Sequence, residues 1–236
     1  MSALRSIEIS APSIAPRMAP RLAPPAKASQ TQSKLADALS VMGAPMTFTR
    51  NAEIYGESEP ADYVYMVRQG AVRTYKLLSD GRRQIGGFHL PGDVFGFEAG
   101  PAHYFTAEAI SDSEVIVVKR STVSALAERD RDVAREMWQS TACELERARS
   151  HLLLLGRKNA LERVATFLLE MFERASGGEA VDLPMSRQDI ADYLGLTIET
   201  VSRTLTQLQS RAAIELPTCR RHILLRKPAM LRYLNA

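Results

Sequence analysis

The spacing of apolar positions changes character along the chain, and each change marks an element. Residues 1 to about 30 show no apolar period at all. Pro12, Pro16, Pro20, Pro24 and Pro25 stand among Ala, Ser and a few Arg, which predicts a disordered extension over 1–32. A short helix is expected around Ser33 to Val41. From Pro45 to Val118 the pattern turns to short alternating runs, such as Tyr63-Val64-Tyr65-Met66-Val67 and Val115-Ile116-Val117-Val118. Gly56, Gly70, Ser79-Asp80-Gly81, Gly86-Gly87 and Pro91-Gly92-Asp93 separate them. Many short strands at that spacing predict a sandwich or barrel-like roll, assigned to 33–119.

Arg120 to Gly156 holds no proline and few β-branched residues. Trp138, Ala142, Leu145 and Leu152 follow at steps of four, three and seven, with Arg149 as a polar interruption. That is a coiled-coil seam on one long helix, assigned to 120–156 and to dimerisation. Leu161 to Phe172 predicts another amphipathic helix, ended by Ser176-Gly177-Gly178. Next, Ile190, Ala191 and Leu194 share one face, Gly195 interrupts, and Val201, Leu205 and Leu208 resume helical spacing. Two short helices meeting at a tight turn are a helix-turn-helix. Ser186, with Asp189 three residues on, and Thr197 supply start signals. Ile214-Glu215-Leu216 and His222-Ile223-Leu224-Leu225 flank a Pro217 to Arg221 turn and predict a wing. The fold class is therefore α+β, a β-roll, a long dimerisation helix and a C-terminal winged helix-turn-helix over 157–236.

With Val201, Leu205 and Leu208 turned inward, Glu199, Thr200, Ser202 and Arg203 face outward from the first turns of the second helix, where such a helix meets base edges. Arg203 can fork onto guanine O6 and N7, and Glu199 can accept from a cytosine amino group. Exposed Glu beside phosphate is otherwise costly. The alternative is a helix salt bridge between the two. Arg220 and Arg221 at the wing tip are candidate phosphate anchors, the alternative being a solvated turn. Cys219 beside them is a candidate oxidisable thiol. Cys143, next to the seam, reads as a buried small hydrophobe, with a redox role as the alternative.

Composition narrows the picture. The net charge of +3 is divided unevenly. Met46 to Val118 carries 6 Lys and Arg against 10 Asp and Glu, a net of −4, whereas Arg187 to Ala236 carries 8 against 4, a net of +4. A nucleic-acid partner is thus expected at the helix-turn-helix end. No apolar run approaches ~18 residues and no secretory apolar region opens the chain, so a cytoplasmic protein with no membrane partner is expected. Cys143 and Cys219 lack CxxC partners, and His89, His103, His151 and His222 are scattered, giving no zinc or iron-sulfur spacing. Phosphate loops, HExxH and GxSxG are missing, so no enzyme is expected.

R-Q-D-I-A-D-Y-L-G-L-T-I-E-T-V-S-R-T-L, from Arg187 to Leu205, resembles the DNA-binding end of the CRP/FNR regulator superfamily, and E-T-V-S-R resembles its FNR and FixK branch. Val67-Arg68-Gln69-Gly70-Ala71-Val72 and Pro91-Gly92-Asp93-Val94-Phe95-Gly96 resemble the cyclic-nucleotide-binding roll of the same superfamily. The resemblance implies a homodimer that reads a palindromic double-stranded operator with TTGA-type half-sites and recruits RNA polymerase. It places Glu199, Ser202 and Arg203 on bases, and Arg187 and Gln188, together with Thr200, on phosphates. Ile198 stands where the cyclic-AMP receptor has Arg and can meet a thymine methyl. The branch activates microoxic respiration and nitrogen-fixation genes.

Two departures concern cofactors. FNR holds an iron-sulfur cluster on cysteines near its amino terminus, and this chain has none before Cys143. Phe97 takes the place of the ribose-binding Glu, and no Lys or Arg lies between Gln84 and Val118. A buried phosphate would lack its cation, so no cofactor is expected, and Phe88, Phe95, Phe97, Tyr104 and Phe105 are assigned to the roll's core. The alternatives are a haem or small-ligand sensor, with His89 or His103 on iron, and a nucleotide-gated module that does not bind DNA.

Overall fold

The computed structural model describes residues 33–175, 180–217 and 222–235. The extension expected over 1–32, Cys219, Arg220, Arg221 and the Ser176-Gly177-Gly178 breaker lie outside the described residues.

Helix α1 (Lys34–Met42) starts at Ser33, whose hydroxyl accepts from the Ala36 amide at 3.1 Å. It is followed by β1 (Ala44–Phe48), β2 (Glu53–Tyr55), β3 (Tyr63–Gln69), β4 (Val72–Leu77), β5 (Arg83–His89), β6 (Val94–Phe95), β7 (Thr106–Ala109) and β8 (Ser113–Lys119). The strands form two four-stranded antiparallel sheets, ordered β1-β8-β3-β6 and β2-β7-β4-β5. Tyr55, Tyr65, Val67, Val72, Phe95, Ala107 and Val115 fill the space between them. The apolar run of β3 is continuous because the strand is covered on both faces. Tyr65 and Val67 look into the roll, while Val64 and Met66 pack with Leu35 and Leu39 of α1. Gly70 makes the β3–β4 turn at φ +86°, a left-handed conformation where a Cβ would also meet Ser113 Oγ at 2.3 Å.

After β8 the structure departs from expectation. Instead of one helix from Arg120, α2 (Arg120–Arg129) stops at Asp130, which takes extended backbone and caps α3 (Arg131–Arg157) by accepting from the Asp132 amide at 2.8 Å. An Asp at this place competes with helix continuation because its side chain serves the next helix's free amides. The seam residues all lie on α3.

Helix α4 (Ala160–Arg174) carries a capping box of Asn159 and Glu162 and buries Val164, Ala165, Phe167, Leu168 and Met171. Then come β9 (Ala180–Asp182), α5 (Arg187–Leu194), α6 (Ile198–Ser210), β10 (Ile214–Glu215), β11 (His222–Leu225) and α7 (Pro228–Asn235). The wing pair β10–β11 gains β9 as a third strand. Neither β9 nor α7 is expected from the sequence pattern.

One core cluster crosses from the roll into the winged helix: Ala71, Ile85, Phe88 and Ile110 pack in the same cluster as Phe167, Tyr193, Leu194 and Val201. This revises the aromatic assignment. Phe88 faces Phe167 and Tyr193, at ring-centroid distances of 6.2 and 5.2 Å. Tyr104 is exposed, with Lys76 Nζ 4.0 Å above its ring. Phe95 does fill the roll, and Phe97 is half-buried.

Candidate nucleic-acid interface

Local chemistry shapes the two helices and their turn. Ser186 Oγ accepts from the Asp189 amide at 3.1 Å, and Asp189 Oδ2 accepts from the Ser186 amide at 2.9 Å, a reciprocal capping box with Asp in the place usually held by Glu or Gln. Helix α5 ends at Gly195, whose φ of +61° is left-handed. Thr197 then caps α6, accepting from the Thr200 amide at 3.3 Å.

Arg163 of α4 ties this turn to the end of α3. Its guanidinium donates to the carbonyls of Leu155 and Lys158 at the end of α3 and of Leu194 at the end of α5, at 2.8, 2.8 and 2.9 Å. Carbonyls at helix ends lack intrahelical donors, and a cation there also meets the negative end of the helix dipole.

Ile190, Ala191, Leu194, Val201, Leu205 and Leu208 are all buried. Glu199 and Arg203 are exposed and have no side-chain partner among the described residues. Ile198 is 37% exposed beside them, and Thr200 and Ser202 are half-buried. Arg187, at the start of α5, reaches across and donates from Nη1 to Ser202 Oγ at 3.1 Å. Gln188 is exposed and donates to Asp192 Oδ1 at 2.7 Å. The face thus offers an acceptor, a forked donor, a hydroxyl and an apolar side chain within about one and a half helical turns. That mixture suits the major-groove edges of base pairs.

On α3, Trp138 is 74% and Leu152 is 71% exposed, and Ala142, Leu145 and Arg149 are exposed with them. The apolar stripe is therefore uncovered within one chain. Cys143 is exposed too, so nothing within one chain buries it, because this part of α3 has left the roll behind.

Inside the roll, His103 stacks on Tyr55 at 3.6 Å and His89 on Phe95 at 4.6 Å. Burial pushes the His89 imidazole down to about 4. Among the described residues no group of three His, Cys, Asp or Glu is placed to hold a metal ion. A cavity of about 300 Å³ lies between the roll and α2–α3, lined in part by Phe97, Glu98, Arg120, Ser124 and Thr141. Arg120, just beyond the cation-free stretch, donates to the Gly100 carbonyl at 3.0 Å. No described helix is long and apolar enough to cross a membrane.

Two family models match the chain. The Crp-like helix-turn-helix domain covers residues 162–234, and the cyclic nucleotide-binding domain covers residues 45–130. The nitrogen fixation regulation protein FixK of Azorhizobium caulinodans is 49% identical over 214 residues, 89% of this chain and 86% of that protein. FixK of Rhizobium meliloti is 48% identical over 188 residues, 80% of this chain and 85% of that one. The solved structure of FixK2 from Bradyrhizobium japonicum superposes with a TM-score of 0.79 at 56% identity, spanning 83% of this chain and 98% of that chain. This chain belongs to the FixK-like branch of the CRP/FNR family, whose members are DNA-binding transcription regulators and not enzymes.

Proposed function

We propose that the protein is a homodimeric transcription activator that reads a TTGA-type palindrome and acts, in the cytoplasm, on microoxic respiration or nitrogen-fixation genes. The observation that carries this reading is the juxtaposition of Glu199 and Arg203 on the exposed face of α6, neither with a side-chain partner among the described residues. Both are free to meet a ligand, and both match base-edge chemistry. Ser202 and Ile198 complete the reading set, while Arg187, Gln188 and Thr200 take phosphates, with Arg220 and Arg221 of the wing. Arg187 exchanges its bond to Ser202 for a phosphate when DNA arrives, which frees the Ser202 hydroxyl.

Dimerisation is supported by the α3 stripe, which places an apolar seam, broken at Arg149, in water unless a second copy covers it. Activity without a cofactor is supported by the roll's interior, where Tyr55, Tyr65, Phe95 and His103 occupy the space with their own rings. The relatives named FixK are nitrogen fixation regulation proteins, and the physiology is extended from them. RNA polymerase is the partner that an activator requires at the promoter.

The test is a pair of substitutions measured on cognate and scrambled DNA. Arg203→Ala should cost ~1–3 kcal/mol per half-site and relax discrimination at one guanine, whereas Arg187→Ala should weaken all sequences alike and lower the salt slope by about one. Equal losses for Arg203→Ala on both DNAs would remove Arg203 from base reading.

A further inference from the structure

Asp189 does more than its helix start requires. Its Oδ2 closes the capping box of α5, yet Oδ1 accepts from Arg73 Nη1 at 2.8 Å and from Arg83 Nη2 at 2.7 Å. Those arginines belong to β4 and β5 of the roll. Arg83 Nε also reaches Asp192 Oδ2, one turn further along α5, at 2.8 Å. Glu108 of β7 holds the second amino group of Arg73. Asp189 is 2% exposed and Arg73 8%. Gln84 of β5 adds a bond to the Tyr193 carbonyl of α5 at 3.3 Å.

This is not a solvated surface pair of little consequence. Asp189 and Arg73 have both left water, so removing either one costs the other a buried charge-assisted partner. A guanidinium fork, moreover, fixes direction as well as distance. Helix α5 leads through Gly195 straight into α6, so whatever holds α5 also aims the reading helix. The contact does not cover the reading face, since Glu199 and Arg203 are exposed. Aiming, not occlusion, is what it supplies.

We infer that Arg73 and Arg83 are positioning residues for DNA recognition: by gripping Asp189 and Asp192 they seat the winged helix on its own roll and so set the separation at which two copies of α6 meet a palindrome. The inference rests on the dimeric reader proposed above. Two half-sites lie one helical repeat apart, ~34 Å, and a winged helix loose on its roll loses that measure while each α6 keeps its own reading set.

The experiment uses the full-length chain, Arg83→Asp, and the charge swap of Arg83→Asp with Asp192→Arg. These are measured on TTGA palindromes of optimal spacing and on palindromes widened by one and two base pairs. Wild type should prefer its optimum by tenfold or more. Arg83→Asp should reduce that preference to less than about threefold while preferring TTGA over scrambled half-sites as before, and the swap should restore it. Working with ratios removes the general gain in affinity that a new cation on α5 brings. A second measurement needs no DNA: hydrogen exchange of the Ile190 to Leu194 amides should quicken at least tenfold in Arg83→Asp and recover in the swap. Unchanged exchange, or unchanged spacing preference beside a wild type that has one, overturns the inference. A wild type indifferent to spacing overturns the dimeric reader, with the exchange measurement still deciding the grip. Should Arg83→Asp fail to fold, Arg83→Gln carries the same two measurements, and no change in either overturns the inference equally.

Discussion

His89 shows how a single side chain can tie the stability of the roll to pH. Burial is the largest cause of its low value of about 4, with Arg174 and Arg147 adding to it and Asp93 opposing. The unfolded chain binds a proton near the ordinary value of about 6.5, while the folded chain stays neutral down to about 4. Between those limits the unfolded state holds more protons, so stability is full above about 6.5 and falls as pH falls. The loss approaches about 3 kcal/mol at pH 4 from this group alone. Urea unfolding at pH 7.5, 6, 5 and 4.5 should show the decline, and His89→Gln should flatten it. A decline of the same steepness in His89→Gln would assign the dependence to other groups. A neutral His89 also keeps a positive charge away from Arg174, which donates to the Phe88 carbonyl at 3.1 Å and pairs with Asp93.

Helix α3 is the element whose surface makes the strongest demand. Trp138, Ala142, Leu145, Arg149 and Leu152 lie at alternating steps of four and three, all exposed. Burying a Leu side chain is worth about 1.5–3 kcal/mol, and each substitution acts twice in a dimer. Leu152→Glu should therefore raise the dissociation constant by two orders of magnitude or more in analytical ultracentrifugation. Arg149→Leu should tighten it, because a charge at a seam position costs stability. No effect from either would place the dimer contact elsewhere. The helix-turn-helix is legible in the sequence because its signals are local: Ser186 and Asp189 sit three apart, and Gly195 separates two apolar periods. The exposed apolar stripe of α3 is legible for the same reason. Asp130 gives no boundary signal in the sequence, since an Asp inside a charged run carries no period of its own. The grip on α5 is invisible to any local reading: Arg73 and Arg83 lie 116 and 106 positions from Asp189. They read as ordinary strand arginines until the fold brings the sheets and α5 together.

Across the whole chain, the shared core argues that roll and winged helix melt as one unit. Phe88 leaves the roll's interior to Tyr55, Tyr65 and Phe95 and packs instead against Phe167 of α4 and Tyr193 of α5. Tyr193 in turn stacks on His151 of α3 at 4.1 Å, so the contact extends to that long helix. Cooperativity between two parts requires that separating them cost free energy on the order of their own stabilities. A buried aromatic junction flanked by desolvated ion pairs meets that condition, and surface contacts alone would not. Scanning calorimetry of the protein should accordingly give a single transition whose calorimetric and van't Hoff enthalpies agree. Phe88→Ala should cost about 3–5 kcal/mol, the range for deleting a buried ring. Because that loss falls on the junction, the variant should also split the transition in two, the roll melting apart from the winged helix. A control at Phe95, fully inside the roll, separates the two effects: Phe95→Ala should lower the melting temperature by a similar amount and broaden the single peak without resolving it. Two transitions in the unmodified protein would refute the shared core, and a single one in Phe88→Ala would mean that the ion pairs of Arg73, Arg83 and Arg174 couple the parts without the ring.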